Sequence, residues 1–277
     1  MNKRIEYHQA SYRDRDAGPQ ELELERLFEV LLPGTRFANR VFAVGGYVRD
    51  QLQGLEPADL DLVVELPYGA QRLAGFLLDT FPGKLTDPEP LTYDFPIWYM
   101  RFTDDVTHAG ELYRVQGAEI DLTDSQTLEE LDGAPTTRFG PLQEDVERRD
   151  FTVNMLFKDL TSGDILDPTG TGQHDIEQGV LRGRPATDEA QSFQQNPRQM
   201  LRLVRFMAQY GWRPDAETEA ALVASAGYLA ELHRDTVERE LLKWQKRGLL
   251  DDGLVLLRRY DMLGPLRAAA QNLREEP

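Results

Sequence analysis

The sequence predicts an α+β chain in which a head built on a mixed sheet is followed by an all-α neck and short body. Three observations carry this. Short apolar runs alternate with helical spacings over the first 160 residues, the pattern turns helical from Pro197 onward, and no internal repeat or low-complexity tract interrupts either part. The expected division is a flexible N-terminus over residues 1–20, a head over 21–160 and a helical neck and body over 161–277.

Taken in order, Leu22, Leu24, Leu27, Phe28, Leu31 and Leu32 have a helical spacing that stops at Pro33-Gly34. Val41 to Val44 reads as a short strand ending in Gly45-Gly46, and Tyr47 to Leu52 as the start of a helix. Leu60 to Leu66 is apolar and β-branched enough for a buried strand closed by Pro67, and Tyr68 to Phe81 reads as an amphipathic helix. Ile97 to Phe102 and Leu112 to Leu122 are two further strands, separated by polar Thr103 to Gly110. Thr123 to Pro141, with Gly133, Pro135 and Gly140, reads as a long mobile loop and a lid. The later helical spacings are Leu201 to Met207, Leu222 to Leu232, Val237 to Trp244 and Leu249 to Leu257.

Composition narrows the chemistry. With 277 residues and 40% hydrophobic content the chain can bury one large core or two modest ones. Zero cysteines exclude disulfides, cysteine-ligated zinc, iron-sulfur clusters and thiol nucleophiles, and fit a cytoplasmic location. No run approaches the roughly 18 apolar residues of a membrane helix. The formal net charge of -17 opposes non-specific nucleic-acid binding. From Pro197 onward 13 Lys and Arg face 12 Asp and Glu, against 18 and 36 before it, so an RNA-facing surface is expected in the last third or in local patches.

The chemistry-bearing residues begin with GGYVRD at Gly45 to Asp50. Glycines between a strand and a helix let backbone approach a phosphate, whose charge then meets the helix start and Arg49. In Asp59-Leu60-Asp61, strand alternation sends both carboxylates to one face and Leu60 to the core. Such a pair can share magnesium, which favours a few carboxylates plus phosphate oxygens, and a metal pair suits in-line displacement on a nucleoside triphosphate. Glu119-Ile120-Asp121 repeats the device, making Asp121 the candidate for a third metal carboxylate; a solvated edge-strand face is the alternative. In RRDFTVN, Arg148 and Arg149 precede Asp150 and Asn154, which share a face if the segment is helical, with Phe151, Val153 and Leu156 inward. These polar groups fit triphosphate and ribose, or simply a salt-bridged helix start. Arg202 and Arg205 lie three apart on one helical face, fit for phosphate or merely solvated. The four histidines are scattered and receive no role.

These residues resemble the class II tRNA nucleotidyltransferase and bacterial poly(A) polymerase family of the polymerase-β superfamily. The resemblance covers roughly Phe42 to Leu263 and rests on VGGYVRDQL, DLDLVVE, EDVERRDFTVNML, ILDPTGTGQHDIEQGVLR, MLRLVRFMAQYGW and VERELLKW. It implies a head with a mixed sheet of about five strands. It further implies magnesium on Asp59 and Asp61, two ions being expected if Asp121, suggested by its strand spacing alone, joins them, and ATP and/or CTP as substrate, held by Gly45, Gly46, Arg49, Arg148, Arg149, Asp150 and Asn154 with the neck arginines Arg202 and Arg205 near the nucleotide. Glu238 and Arg239 fall in a stretch where a structural salt bridge is expected. The implied reaction is addition of C and/or A to an RNA 3′ end, with tRNA as the expected acceptor.

The family's base-reading motif resembles EDxxR, whereas this chain has Gln195-Asn196-Pro197-Arg198-Gln199. Asn196 and Gln199 remain candidates to read the base, each offering donor and acceptor, but an amide that flips discriminates weakly. The chain also ends soon after the neck-like helices, which points to a protein partner or dimer supplying RNA grip, or to a smaller acceptor. A non-RNA acceptor and a non-catalytic nucleotide-binding relative stay open as other readings.

Overall fold

The computed structural model describes residues 20–57, 60–90, 97–131, 134–184 and 189–271. Asp59 and the N-terminal stretch expected to be flexible lie outside these. Two compact units are present, one comprising Met1–Arg149 with Asn154–Gly170 and the other Asp150–Val153 with Thr171–Pro277.

The first unit runs α1 (Gln20–Leu31), β1 (Val41–Val44), α2 (Gly46–Leu52), β2 (Leu60–Val64), α3 (Gly69–Thr80), β3 (Glu89–Pro90), β4 (Trp98–Arg101), β5 (Val106–His108), β6 (Glu111–Tyr113), β7 (Glu119–Asp124), β8 (Gln126–Leu131), β9 (Ala134–Phe139), α4 (Leu142–Asp145), β10 (Phe157–Asp159) and β11 (Ile165–Leu166). The main sheet has the order β11-β10-β1-β2-β7-β4-β3. Pairing of β2 with β7 is parallel and the other pairings are antiparallel, so the sheet is mixed as expected. Its five longer strands match the expected core sheet, and β3 and β11 add two-residue edges.

Helical periodicity positions the layers. Leu24, Leu27, Phe28 and Leu31 form the buried stripe of α1, and Ala70, Leu73, Ala74 and Leu77 that of α3. All four residues of β1 are buried, and Phe42 and Val44 pack with Val63, Leu142 and Phe157. Asp124, at the end of β7, accepts from the Ala70 backbone N–H at 2.7 Å and so ties the start of α3 to the sheet.

Two expectations are corrected here. The segment Thr123 to Pro141 is not a structureless lid: β7 extends to Asp124, and β8 and β9 form an antiparallel ladder from Gln126↔Phe139 to Leu131↔Ala134. Backbone hydrogen bonding outweighs the polar composition that suggested a loop. Leu112 to Leu122 is not one strand either. Gly117, at φ +90, lies between β6 and β7, a backbone geometry open to glycine that ends the first run.

The second unit continues with α5 (Gly172–Gln178), β12 (Val180–Leu181), α6 (Glu189–Gln195), α7 (Arg198–Tyr210), β13 (Arg213–Pro214), α8 (Ala216–Ser225), α9 (Arg234–Lys246), α10 (Leu250–Arg259) and α11 (Leu263–Ala270). It is helical apart from the short parallel pair β12–β13. Trp244, on α9, is fully buried, and Gly253 on α10 lies against its ring. The segment Asp150–Val153 joins this unit through named contacts: Phe151 meets the Phe206 ring edge-on at 6.0 Å, and Thr152 Oγ1 donates to Asp175 at 2.7 Å.

Candidate active site

Alternation along β2 buries Leu60 and Leu62 and leaves Asp61 exposed; along β7 it buries Ile120 and Leu122 and leaves Glu119 and Asp121 half-buried. The parallel register sets Asp61 directly opposite Asp121, so the two carboxylates share a sheet face. β7 lies between β2 and β4, which removes the edge-strand reading of Asp121. Tyr99 sits opposite Asp121 from the other side and donates its hydroxyl to Glu119 at 2.6 Å. Two oxygen-donor side chains on adjacent strands suit magnesium, which takes few protein carboxylates. Among the described residues no group of three metal-ligating side chains is present.

Beside the strands, Gly45 has φ +64 and precedes α2. A Cβ at Gly45 would stand 3.9 Å from Arg149 Nη1, and one at Gly46 3.5 Å from Arg49 Nη2. Two guanidinium groups therefore flank the bare glycine turn. Arg49 is itself buried, donating to Asn154 Oδ1 at 2.6 Å and pairing with Asp50 at 2.8 Å.

RRDFTVN departs from its expected geometry. Asp150 and Asn154 do not share a helix face, because the chain forms single 3₁₀ turns at Val146–Arg148 and Thr152–Asn154, with Arg149 extended between them. Asn154 turns to Arg49 in the first unit, while Asp150 pairs with Arg202 at 2.6 Å in the second. Phe151, Val153 and Leu156 are fully buried, as their spacing indicated. Arg148 and Arg149 converge on Asp145, which sequence reasoning missed. Burial raises the Asp145 pKa, but the charges of Arg149 and Arg148 and the Gln126 N–H together hold it below the ordinary value. The signal was present in EDVERR, where an acid precedes two arginines by three and four residues.

Arg202 and Arg205 share α7 and the Phe206 ring but form ion pairs with different acids, Asp150 and Glu240. Arg205 is buried, donates to Glu240 at 2.7 Å and stacks over Phe206. The solvated reading thus fails for Arg205. In the VERELLKW stretch, Glu238 pairs with Arg234, and Arg239 donates to Thr236; the fully buried acid is their neighbour Glu240. Asn196 is exposed at the end of α6, whereas Gln199 is buried in the first turn of α7 and accepts from Ser192.

The family described as Poly A polymerase head domain matches residues 41–182, about half the chain. The chain belongs to that family. Among relatives of this head-domain protein, poly(A) polymerase I of Salmonella typhi is 28% identical over 246 residues, covering 87% of this chain and 50% of that protein. The CCA-adding enzyme of Geobacillus kaustophilus is 31% identical over 223 residues, covering 80% and 49%. The chain thus spans about half the length of these relatives. Among solved structures, a complex of CCA-adding enzyme with CTP aligns with TM-score 0.66 at 25% identity over 90% of this chain and 53% of that one. The Thermotoga maritima CCA-adding enzyme complexed with tRNA aligns with TM-score 0.65 at 26% identity, over 91% and 53%. No helix among the described residues is long and apolar enough to cross a membrane.

Proposed function

We propose that this head-domain protein is a magnesium-dependent nucleotidyltransferase of the cytoplasm that adds C and/or A to an RNA 3′ end, with tRNA as acceptor and ATP and/or CTP as donor. The observation that supports it most is the in-register pair Asp61 and Asp121 on adjacent strands of one sheet. Its support widens with the glycine turn flanked by Arg49 and Arg149 and with the family membership.

Asp61 and Asp121, with Asp59 before them in sequence, are the residues that would hold two magnesium ions; bound there, the metal supplies charge neutralisation at the transferring phosphoryl group and lowers the pKa of the attacking hydroxyl. Gly45 and Gly46 present backbone without side-chain bulk, and Arg49 and Arg149 supply positive charge for triphosphate oxygens. Arg148, held with Arg149 on Asp145, adds to that field. Asn154 fixes the Arg49 guanidinium, and Asp150 fixes Arg202, so their place in nucleotide binding is to orient arginines as well as to meet the sugar. Arg205, anchored on Glu240, holds α7 in register for Asn196 and Gln199, which face the base in this reading.

The acidic head favours a second element of the proposal: a protein partner or second copy that brings cations to the RNA, or failing that a non-RNA acceptor. The test is incubation with magnesium, each labelled nucleoside triphosphate separately, and tRNA transcripts ending before, within and after CCA. Wild-type extension that disappears in Asp61→Asn supports the reading. Triphosphate binding without extension of any transcript overturns the RNA acceptor.

A further inference from the structure

The start of α3 meets the β8–β9 hairpin around a cavity of about 210 Å³ whose walls include Tyr68, Gln71, Trp98, Asp124, Gln126 and Phe139. None of these residues has a part in the nucleotide site described above. Strand alternation turns the cavity away from Asp61 and Asp121: Trp98 lies opposite Leu122, and Asp124 follows Asp121 by three residues, an odd step that reverses the face. Its aromatic side chains are not packed into the core. Tyr68 is 71% exposed, Phe139 is 38% exposed and Trp98 is half-buried. Tyr68 also holds the left-handed conformation, φ 56 and ψ 29, where a bulky residue is an outlier. Its neighbours impose this. A Cβ at Gly69 would stand 2.5 Å from Val64 Cγ1, so α3 begins pressed against β2, and Asp124 accepts from the Ala70 N–H at 2.7 Å. Strain that presents an aromatic ring to solvent, beside two further rings and an open cavity, stabilises nothing in the fold itself and marks a binding surface.

We propose that this cavity binds an unpaired base of the RNA acceptor, stacked on Tyr68 and Phe139, upstream of the 3′ end that reacts on the opposite face of the sheet. This rests on the RNA-acceptor reading above. The cavity is smaller than the roughly 300–1,000 Å³ of pockets for drug-sized ligands and suits one planar ring system. Aromatic walls take such a ring by stacking, and the Asp124 carboxylate with the Gln71 and Gln126 amides supplies hydrogen-bonding groups for its edge. The charge of the chain favours this mode of grip. At a net charge of -17, with 36 Asp and Glu against 18 Lys and Arg before Pro197, the chain is poorly suited to hold phosphates. Stacking uses the faces of the bases and needs no Lys or Arg.

The test is binding of a single-stranded oligoadenylate to the full chain, without magnesium or triphosphate, followed by fluorescence anisotropy. The same strand with abasic sites is the control. Wild type is expected to bind the oligoadenylate about ten- to a hundredfold tighter than the abasic strand. Tyr68→Ala and Phe139→Leu each weaken oligoadenylate binding by about tenfold, and Tyr68→Phe, which keeps the ring, retains it. Both rings are exposed, so these substitutions leave the core intact. The Tyr68→Ala deficit is expected to be the same at about 50 and about 200 mM salt, because losing a stacked ring changes no counterion release. Equal binding of the two strands, or unchanged binding in both Tyr68→Ala and Phe139→Leu, overturns the inference. Free adenosine bound as tightly as the strand also overturns it, assigning the cavity to a small nucleoside instead. Ring-dependent binding with no extension of any transcript would remove the RNA-extension reading and leave the base site standing. Extension of transcripts with ring-independent binding would remove the base site alone.

Discussion

Asp61 and Asp121 stand directly opposite one another across the parallel pairing of β2 with β7, with Leu60, Leu62, Ile120 and Leu122 sent to the other face. Like charges facing each other across a ladder destabilise a sheet. Neutralising either is therefore expected to leave the melting temperature unchanged or raised. If these carboxylates hold magnesium, Asp61→Asn and Asp121→Asn each lower RNA extension by about a hundredfold or more. Parallel measurement of extension and thermal melting separates the two effects. Full activity in both variants would place the metal elsewhere.

A second expectation concerns Glu240, fully buried beneath α7 with Arg205 on one oxygen and Lys243 and Arg198 near the other. Removing the one acid from such a group leaves buried cations uncompensated. Glu240→Gln is expected to cost about 3–5 kcal/mol in urea unfolding. Lys243→Met, which removes an excess cation and keeps the stem volume, is expected to be neutral or stabilising.

Local patterns were legible because they depend on neighbours a few residues away. The Leu24, Leu27, Phe28, Leu31 stripe and the alternation in Asp61-Leu62 and Glu119-Ile120-Asp121 state which side faces inward, and the structure places them so. The β8–β9 hairpin was missed because Pro135, Gly140 and the polar residues outweighed a turn signal present in Asp132-Gly133 between two pairable runs. Glu240 and the Ser192–Gln199 hydrogen bond were missed for another reason. Their roles are set by partners that only folding assembles: Arg205 lies 35 residues before Glu240, and α6 and α7 must pack before Ser192 meets Gln199. Spacing carries no information about such contacts.

Two glycines in helices call for opposite outcomes. A Cβ at Gly253 would lie 2.5 Å from Cε3 of the fully buried Trp244 ring, which has no room to turn away. Gly253→Ala is expected to cost about 1–3 kcal/mol by overpacking. Gly75, inside α3, has nothing within 4 Å of its Cβ position and no positive φ. There Gly75→Ala removes backbone entropy from the unfolded chain and is expected to stabilise by about 0.5–1 kcal/mol. Equal effects of the two substitutions in denaturant melts would refute the packing argument.

Stability as a function of pH follows from two buried groups in the helical unit. Burial pushes Glu189 from 4.5 up to about 7, helped by the charges of Asp150 and Asp215 and opposed by Arg184. Burial pushes Lys243 from 10.5 down to about 7, helped by Arg198, Arg205 and Arg202 and opposed by Glu240. Between pH 4.5 and 7 the folded chain keeps a proton on Glu189 that the unfolded chain has released, so stability falls as pH rises. Between pH 7 and 10.5 the unfolded chain keeps a proton on Lys243 that the folded chain has released, so stability climbs as pH rises. The two contributions together place a minimum near neutrality, with limbs on the order of 1 kcal/mol or more. Urea unfolding at pH 5, 7 and 9 checks this. Glu189→Gln should flatten the acid limb alone and Lys243→Met the alkaline limb alone, and a wild-type profile with its maximum at pH 7 would contradict both assignments.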